Sequence, residues 1–360
     1  MLTDSSHQIF VSVVMPVYNA APYLKDSIDS ILHQTYTHFE FIIVNDASED
    51  ESQKVIESYD DPRICLINKS TNTGIADTIN QGLAIAKGKY IVRMDADDKS
   101  VIHRIATQVK FMENNPHIGV SGAFIHQFKT VEGKDEWVKV YNYPSEPEAC
   151  RLRIFTRRTF TYHPTVIIRH QLLQEYQLKY DPTKDPAEDA NLWHRMTPFC
   201  QFGNIPEVLV HYRIHHQQAS TIHKHLLVEN YTISFRQLMK TICPDITEEE
   251  FQVHGDFFSQ RALQTYPQAK FQTTLDWLQK LININKERNE YICPQDLLLE
   301  DIAKKWFAFC NQYTTQGFKT WRMYKSAAFR KYYDAGKKNT LRFFIDCILG
   351  NKSHYLGATQ

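Results

Sequence analysis

Residues 90–98 read YIVRMDADD, an apolar run that ends in three carboxylates within four residues. Such a run predicts a buried strand whose carboxyl end opens into a polar cleft, where ligands bind in open α/β sheets. Closely spaced carboxylates repel one another unless they face water or share a cation. Mg²⁺ or Mn²⁺, which prefer oxygen ligands, would satisfy them. A solvated acidic turn is the alternative, because short motifs recur by chance.

The sequence before this segment repeats a strand, a loop and a helix. Apolar runs at residues 11–15, 39–44 and 63–67 predict three further strands, the first of them ending at Pro16. Apolar side chains at helical spacing follow the first and the third of these strands. Together the repeats predict an α/β fold with a doubly wound, mostly parallel sheet whose loops gather at one edge.

The loops of this sheet lack the glycine patterns of two common nucleotide sites. No two glycines lie two residues apart, so G-x-G-x-x-G is absent, and G-x-x-x-x-G-K-[ST] is absent as well. These absences argue against a dehydrogenase and a phosphate-loop enzyme. What remains is a nucleotide-sized cleft with carboxylates, in which a metal ion would neutralise a diphosphate.

Four short motifs follow one another in the N-terminal part of the chain. They are PVYN at residues 16–19, NDASED at 45–50, NTG at 72–74 and DADD at 95–98. Their order and spacing resemble the signature of family 2 glycosyltransferases, which implies the GT-A fold and a nucleotide-sugar donor, with a UDP-sugar favoured. Ala47 stands where this family usually has glycine, which costs little if its backbone φ is negative.

The resemblance implies roles for the motif residues. Tyr18 and Asp46 would hold the base of the nucleotide, and Asp95 the ribose. Asp97 or Asp98 would bind Mn²⁺ or Mg²⁺ on the diphosphate. The donor site implied by the resemblance has the following members: Pro16, Tyr18, Asn19, Asp46, Ser48, Asn72, Gly74, Asp95, Ala96, Asp97 and Arg213.

Two downstream segments look like the acceptor half of the same family. Residues 161–169, TYHPTVIIR, resemble its acceptor-side strand, and residues 187–193, AEDANLW, resemble its Glu-Asp helix start. Asp189 is then the candidate base that takes the proton from the acceptor hydroxyl in an inverting transfer, with an N-terminal helix cap as the alternative. The resemblance also places three side chains on the acceptor side: His163, Glu188 and Trp193. Packing is the alternative for the histidine and the tryptophan.

Residues 212–220, YRIHHQQAS, resemble a Tyr-Arg-x-His-x-x-Gln-x-Ser segment of the family. By this resemblance Arg213 would meet the diphosphate, and His215 would be a further metal ligand or a phosphate donor. A plain loop histidine is the alternative for His215. Within the family the chain looks most like bacterial lipopolysaccharide β-1,3-N-acetylglucosaminyltransferases. That likeness implies surface polysaccharide or lipopolysaccharide synthesis, with an oligosaccharide or lipid-linked glycan as acceptor.

Two other functions share part of this pattern. A sugar-phosphate nucleotidyltransferase has the same fold and an acidic metal site, but it needs a basic phosphate loop, and residues 16–21 contain no Lys or Arg. A non-catalytic nucleotide-sugar binder or membrane-associated scaffold would not need the full set of carboxylates. The missing basic loop argues against the first of these functions, and the presence of all of the proposed catalytic carboxylates argues against the second, so a transferase is favoured.

Length and composition fit an enzyme of modest size, with 360 residues of which 42% are hydrophobic. We expect a GT-A catalytic domain at residues 1–220, with a nucleotide-binding half at about 10–120 and an acceptor half at about 121–220. Residues 221–360 show helical spacing without strand alternation, which predicts a helical C-terminal appendage. Seven scattered cysteines and the lack of a long apolar run favour a reduced, cytoplasmic protein.

A net charge of zero conceals a basic C-terminal segment. Residues 318–352 hold nine basic side chains against two acidic ones, with aromatic residues between them. This composition predicts an amphipathic segment on an anionic membrane surface, and hence a peripheral protein on the inner face of the cytoplasmic membrane. A solvated basic helix whose aromatics face the catalytic domain is the alternative. No nucleic-acid recognition motif accompanies the charge, so we expect no nucleic-acid partner.

Overall fold

The computed structural model describes residues 9–216, 218–259, 269–287 and 293–351. The chain divides into two compact units. The first lies within Met1–Arg151 and Thr159–Leu238, and the second within Leu152–Arg158 and Met239–Gln360. All strands of the described residues belong to the first unit, which therefore carries the predicted site.

The N-terminal half of the first unit alternates strands and helices, as predicted. Its four strands are β1 (Val11–Val17), β2 (Phe39–Asn45), β3 (Ile64–Asn68) and β4 (Tyr90–Arg93). Its helices are α1 (Ala21–Leu32), α2 (Ser52–Glu57) and α3 (Ile75–Ile85). These strands are parallel, in the order β3-β2-β1-β4, with Val17 opposite Asn45. Their carboxyl ends therefore meet at one edge of the sheet.

The central strand β1 continues through the proline that was expected to end it. Every residue of β1 is buried, as expected for a parallel strand that is covered on both faces. The ladder between β1 and β4 ends at Val14, so Pro16 has a neighbouring strand on one side only. A missing backbone N–H costs little at such a position, which is why the strand tolerates it.

The second half of the unit extends this sheet. Its strands are β5 (Lys99–Ser100), β6 (Ile118–Val131), β7 (Lys134–Tyr141), β8 (Ile167–Arg169) and β9 (Gln201–Arg213). Its helices are α4 (Arg104–Asn114), α6 (His170–Glu175) and α7 (Glu188–Met196), together with the first part of α5 (Pro147–Phe155), which belongs to the second unit from Leu152 onward. The full order is β3-β2-β1-β4-β8-β6-β9-β5, with β7 paired to β6. Strand β8 joins the two halves because it lies antiparallel between β4 and β6.

The described residues that follow β9 are mostly helical, as predicted. The helices are α8 (Ala219–Ile222), α9 (Lys224–Ile242), α10 (Glu248–Ser259), α11 (Ala269–Glu287), α12 (Gln295–Gln312), α13 (Phe318–Ser326) and α14 (Lys337–Leu349). The core of the second unit includes the buried side chains of Trp277, Trp306 and Phe307. Across the described ranges, no helix combines the length and the apolar character that a membrane crossing requires.

Several aromatic side chains of the basic C-terminal segment belong to this core. Tyr324, Phe329 and Phe343 are buried. The ring centroids of Tyr324 and Phe343 lie 5.6 and 5.5 Å from that of Phe307, and Phe329 lies 5.9 Å from Trp306. The expectation that the aromatics of this segment face a membrane is therefore wrong for these three residues, because they pack against helix α12 of their own unit.

Candidate active site

The predicted donor-site residues lie where the parallel strands end. They come from β1, from the loops that follow β1, β2 and β4, from the loop before α3 and from the end of β9: Pro16, Tyr18, Asn19, Asp46, Ser48, Asn72, Gly74, Asp95, Ala96, Asp97 and Arg213. Pro16 and Ala96 are buried, whereas Tyr18 is 49% exposed. The fold thus brings the separate sequence motifs to one edge of the sheet.

The three carboxylates of the acidic segment lie together directly after β4. Oxygen atoms of Asp95, Asp97 and Asp98 lie within 4.8 Å of one another. Asp98 is fully buried, and its Oδ2 has no hydrogen-bond partner among the residues that the structure describes. Burial, followed by the charges of the other two carboxylates, raises the pKa of Asp98 well above its ordinary value. A buried, unpaired oxygen beside two more carboxylates fits a hard divalent cation such as Mn²⁺ or Mg²⁺.

The predicted ligand His215 contacts this cluster through one of its members. Its Nε2 lies 2.8 Å from Oδ2 of Asp97. Its ring centroid lies 4.7 Å from that of Tyr23 in α1. The structure therefore places His215 beside the acidic cluster, where its imidazole holds the carboxylate of Asp97 in position.

Arg213 is buried and bound to protein atoms. Its Nε donates to the carbonyl oxygen of Asp97 at 2.8 Å, and its Nη2 donates to Oδ2 of Asp26 at 3.0 Å. Its Nη1 donates to the hydroxyl of Thr130, and the guanidinium lies 4.5 Å from the ring centroid of Phe128. The diphosphate contact expected from the resemblance is not supported by this geometry, because the guanidinium holds the acidic loop instead.

Two buried arginines beside the acidic segment were not predicted. Nη2 of Arg93, the last residue of β4, lies 2.5 Å from Oδ1 of Asp95. Nη2 of Arg104 donates to the carbonyl oxygens of Arg93 and Pro164, both at 2.7 Å. Burial lowers the pKa of Arg104 to about 9. For Arg93, the signal in the sequence was a basic residue inside an apolar run directly before an acidic motif.

Asp46, which was predicted to contact the nucleotide base, holds the loop that precedes α3. Its Oδ1 accepts from the backbone N–H of Thr73 and its Oδ2 from that of Gly74, both at 3.0 Å. The ammonium of Lys69, which the sequence did not single out, lies 2.6 Å from Oδ1 of Asp46. The carboxylate of Asp46 binds this loop. Because Asp46 is only 3% exposed, its carboxylate is not openly accessible to a nucleotide base.

The loops after β1 and β2 are tied to each other. The backbone N–H of Asn19 donates to Oγ of Ser48 at 3.1 Å, and that of Glu49 donates to Oδ1 of Asn19 at 2.8 Å. Ala47 has a φ of 55°, so the condition under which an alanine costs little at this position, a negative φ, is not met. The left-handed conformation costs a residue with a Cβ about 1–2 kcal/mol, and the loop contacts on either side of Ala47 hold it there.

The start of helix α3 contacts a residue from the half of the domain that was predicted to bind the acceptor. Its N-cap is Gly74, with a φ of 90°, and Oδ1 of Asn72 accepts from the N–H of Gly74 at 3.2 Å. Oδ2 of Asp185 accepts from the backbone N–H of Ile75 at 2.9 Å. A Cβ on Gly74 would lie 2.6 Å from that same oxygen. Asp185, which was not predicted, therefore occupies the positive end of the α3 dipole.

Asp189 is the second residue of α7, whose N-cap is Ala187. Its Oδ1 accepts from the backbone N–H of Ala190 at 2.6 Å. Burial raises the pKa of Asp189 to about 6, although this hydrogen bond and the positive charge of Arg93 both act to lower it. Such a carboxylate is ionised at neutral pH and is a better proton acceptor than an ordinary aspartate. This combination fits a general base.

Glu188 and His163 form a buried pair next to Asp189. Oε1 of Glu188 lies 3.6 Å from Nδ1 of His163, and Nε2 of His163 lies 2.9 Å from the hydroxyl of Tyr180. Burial raises the pKa of Glu188 and lowers that of His163, so both side chains favour their neutral forms. Oε2 of Glu188 has no hydrogen-bond partner within the described part of the chain.

Trp193 is a core residue. It is 3% exposed, and its ring lies edge-on to those of Phe160 and His163, at 6.0 and 6.1 Å. An acceptor sugar has no access to a ring that is enclosed in this way. The structure therefore agrees with the packing alternative for Trp193 and does not support a stacking platform there.

Similarities to known proteins agree with this fold. Residues 12–177 match Glycosyl transferase family 2. An uncharacterized glycosyltransferase of Haemophilus influenzae is 33% identical over 233 residues, which are 60% of this chain and 68% of the relative. An uncharacterized glycosyltransferase of Methanocaldococcus jannaschii is 33% identical over 240 residues, which are 62% of this chain and 78% of the relative.

A solved structure, S. aureus TarS 1-349 in complex with UDP-GlcNAc, shares the fold. Its TM-score is 0.55 at 18% identity, over 91% of this chain and 93% of that one. The α/β sheet, the acidic strand end and the helical C-terminal region define a glycosyltransferase with the GT-A fold. The chain belongs to glycosyl transferase family 2, and the fold and the family predicted from the sequence are confirmed.

Proposed function

We propose that this protein is an inverting, metal-dependent glycosyltransferase that moves a hexosyl or N-acetylhexosaminyl group from a UDP-sugar to a glycan acceptor, with Asp189 as the base. The observation that carries the proposal is the cluster of Asp95, Asp97 and Asp98 at the carboxyl end of β4, with an unpaired buried oxygen on Asp98 among the described residues. Such a cluster suits a cation that bridges a diphosphate.

Different residues act in the separate steps of the proposed transfer reaction. As the acceptor oxygen attacks the anomeric carbon, its proton passes to a carboxylate oxygen of Asp189. The bond from that carbon to the diphosphate breaks, and UDP leaves with the electron pair. Attack from the side opposite the leaving group inverts the configuration. A divalent ion held by Asp97 and Asp98 would supply charge stabilisation for the leaving diphosphate. Arg213 and His215 hold the carboxylates of that loop in place.

Two likenesses support the choice of donor and acceptor. The TarS structure of similar fold was solved with UDP and with UDP-GlcNAc. The segments at residues 187–193 and 212–220 resemble those of lipopolysaccharide β-1,3-N-acetylglucosaminyltransferases. We therefore propose a UDP-hexose or UDP-N-acetylhexosamine as donor. The proposed acceptor is an oligosaccharide or lipid-linked glycan in surface polysaccharide synthesis.

Calorimetric titration with a panel of nucleotide sugars, with and without Mn²⁺, tests the donor and the metal. We expect a UDP-sugar to bind at least about tenfold more tightly with Mn²⁺, because the ion bridges the acids and the diphosphate. NMR of the product should show an inverted anomeric centre. Equal binding in chelator would overturn the metal assignment. Release of pyrophosphate from UTP and a sugar phosphate would instead identify a nucleotidyltransferase.

We further propose that α14 attaches the protein to an anionic membrane, which would place it on the inner face of the cytoplasmic membrane. One side of this helix exposes four aliphatic side chains: Leu341, Ile345, Ile348 and Leu349. Three basic residues accompany them: Lys337, Lys338 and Arg342. Lys352 lies outside the described residues. Each engaged basic residue contributes about 1 kcal/mol at an anionic surface, and the aliphatic side chains add apolar burial.

A further inference from the structure

Four tyrosines lie together on the acceptor side of the first unit. The ring centroid of Tyr162 lies 6.1 Å from that of Tyr141, 5.3 Å from that of Tyr143 and 5.5 Å from that of Tyr212. All four side chains are partly exposed. The rings are inclined to Tyr162 by 46–73°. They therefore form an uneven aromatic surface, which we call the tyrosine surface.

Three separate segments build the tyrosine surface. Tyr141 is the last residue of β7, Tyr143 follows it, Tyr212 lies near the end of β9, and Tyr162 precedes the short 3₁₀ helix His163–Thr165. Successive side chains of a strand point to opposite faces of the sheet. Tyr212 therefore faces away from the side on which its neighbour in β9 holds the acidic loop. The tyrosine surface is thus separate from the metal cluster.

The tyrosine surface adjoins the proposed base. Tyr162 is followed directly by His163, whose ring contacts the hydroxyl of Tyr180 and lies 3.6 Å from Glu188. Glu188 in turn precedes Asp189, the residue proposed to accept the proton. A chain of neighbouring residues through His163 and Glu188 therefore connects the tyrosine surface with the residue proposed to activate the acceptor.

We propose that Tyr141, Tyr143, Tyr162 and Tyr212 bind a sugar ring of the acceptor glycan, an inference that rests on the proposed function and names its substrate class. A β-linked pyranose with equatorial hydroxyls carries the C1, C3 and C5 hydrogens on one apolar face, which suits contact with aromatic rings. The tyrosine hydroxyls and the ammonium of Lys139, 4.9 Å from the ring centroid of Tyr141, supply polar groups at the rim.

The arrangement of the rings favours binding over a purely structural role. A core cluster would bury its rings, as Phe160 and Trp193 are buried, whereas the four tyrosines keep part of their surface in water. Tyr143 and Tyr162 are joined by a side-chain hydrogen bond, which fixes the two rings before any ligand arrives. Rings that are already ordered lose little conformational freedom on binding, and this favours affinity.

Saturation-transfer NMR tests the inference with methyl β-N-acetylglucosaminide and methyl β-glucoside as probes, in the presence of UDP and Mn²⁺. Saturation should be strongest at H1, H3 and H5 of the probe. Tyr141→Ala and Tyr212→Ala should weaken probe binding about five- to tenfold, the scale of one aromatic contact, whereas the phenylalanine variants should stay within about twofold. Tyr176→Ala is the matched control, because Tyr176 is a partly exposed tyrosine stacked on Phe199 at 4.0 Å.

A measurement without substitutions covers the case in which an alanine variant does not fold. Protein made with ring-deuterated tyrosine should transfer much less saturation to the probes, and protein made with ring-deuterated phenylalanine should not. Even saturation of all sugar protons, or saturation unaffected by tyrosine deuteration, would overturn the inference. Transfer of sugar from the UDP-sugar by the unaltered protein tests the proposed function separately. If the protein transfers sugar but probe binding does not depend on the tyrosines, only the inference is wrong. If the probes bind to the tyrosines but no sugar is transferred, only the proposed function is wrong.

Discussion

The backbone N–H of Arg213 donates to Oδ1 of Asp98 at 2.8 Å. The guanidinium of Arg213 holds the carbonyl oxygen of Asp97, so one residue at the end of β9 fixes two consecutive acids at the end of β4. Strands β8 and β6 lie between β4 and β9 in the sheet. The geometry of the proposed metal site therefore depends on a contact that reaches across the middle of the sheet.

Replacing Arg213 tests this dependence. Arg213→Ala should lower the free energy of unfolding by about 2–3 kcal/mol, since several hydrogen bonds to a buried cation are lost. It should also weaken Mn²⁺-dependent UDP binding, because the acidic loop loses its support. Arg213→Lys should recover little, because an ammonium cannot reproduce the planar set of donors. Urea unfolding and calorimetry measure both effects.

Arg322→Ala, at an exposed position, is the control for the Arg213 variants. Normal metal affinity in folded Arg213→Ala protein would contradict this account.

The metal assignment is tested by Asp97→Asn and Asp98→Asn. Each change keeps the size of the side chain but removes one negative charge from the cluster. We expect the rise in melting temperature on adding Mn²⁺ and UDP to disappear or to shrink strongly in both variants. Asp60→Asn, at an exposed position, should keep the full rise. If both cluster variants retain it, the ion binds elsewhere.

The role of Asp189 predicts a loss of turnover and a particular pH dependence. Asp189→Asn should lower turnover by roughly 10²–10⁴ while donor affinity stays nearly unchanged. The pKa of Asp189 is raised to about 6, so the unaltered enzyme should lose activity as the pH falls below 6, where the carboxylate is protonated. Steady-state rates from pH 5 to 8 measure this limb. A collapse of donor binding in the variant would show instead that Asp189 contacts the donor.

Ala47 offers a test of backbone strain. Glycine adopts a φ of 55° without a steric cost, so Ala47→Gly should stabilise the protein by up to about 1 kcal/mol after the entropy of the unfolded glycine is subtracted. Thermal unfolding measures the change. Ala86→Gly is the matched control at a φ of −62°, where the substitution should destabilise. If both changes destabilise equally, Ala47 is not strained.

The aliphatic face of α14 predicts salt-sensitive membrane binding. Leu341→Asp with Ile345→Asp should abolish co-sedimentation with vesicles that contain phosphatidylglycerol, because both side chains are exposed and would be driven into the lipid interface. High salt should weaken binding of the unaltered protein, since it screens the basic residues. Ile85→Asp, an exposed change in the first unit, is the control. Binding that survives the double change would place the contact elsewhere.

Local features of the sequence were enough to predict the elements around the site. The apolar run before Asp95 and the acids after it specify a strand end without any knowledge of distant residues, and the order of the loop motifs specifies the sheet. The ends of the strands were predicted less accurately, as Pro16 shows, because β1 continues past it to Val17. Whether a proline ends a strand depends on which neighbouring strand is present at that position, and only the register reveals this.

The contacts that support the site were not predictable because they join residues far apart in the chain. Asp185 and Ile75 are 110 residues apart, and nothing near either of them indicates the other. Lys69 lies in a loop without a motif, and only its ion pair with Asp46 shows that it supports the site. For Arg213, the resemblance pointed to a residue that lies beside the acidic loop, but the pleat of β9 and the packing against Phe128 decide which atoms the guanidinium reaches.

The hydrogen bond between Asp185 and the first turn of α3 bears on the exchange of parts between related enzymes. A chimera that receives only the loop at residues 72–74 from a relative would place a foreign backbone against the carboxylate of Asp185, with no room for a side chain at position 74. The chimera would therefore have to receive the segment from Tyr180 to Asp189 together with that loop. The loop before α3 and the segment that ends at Asp189 therefore form one structural block, and an exchange between relatives would have to replace both together.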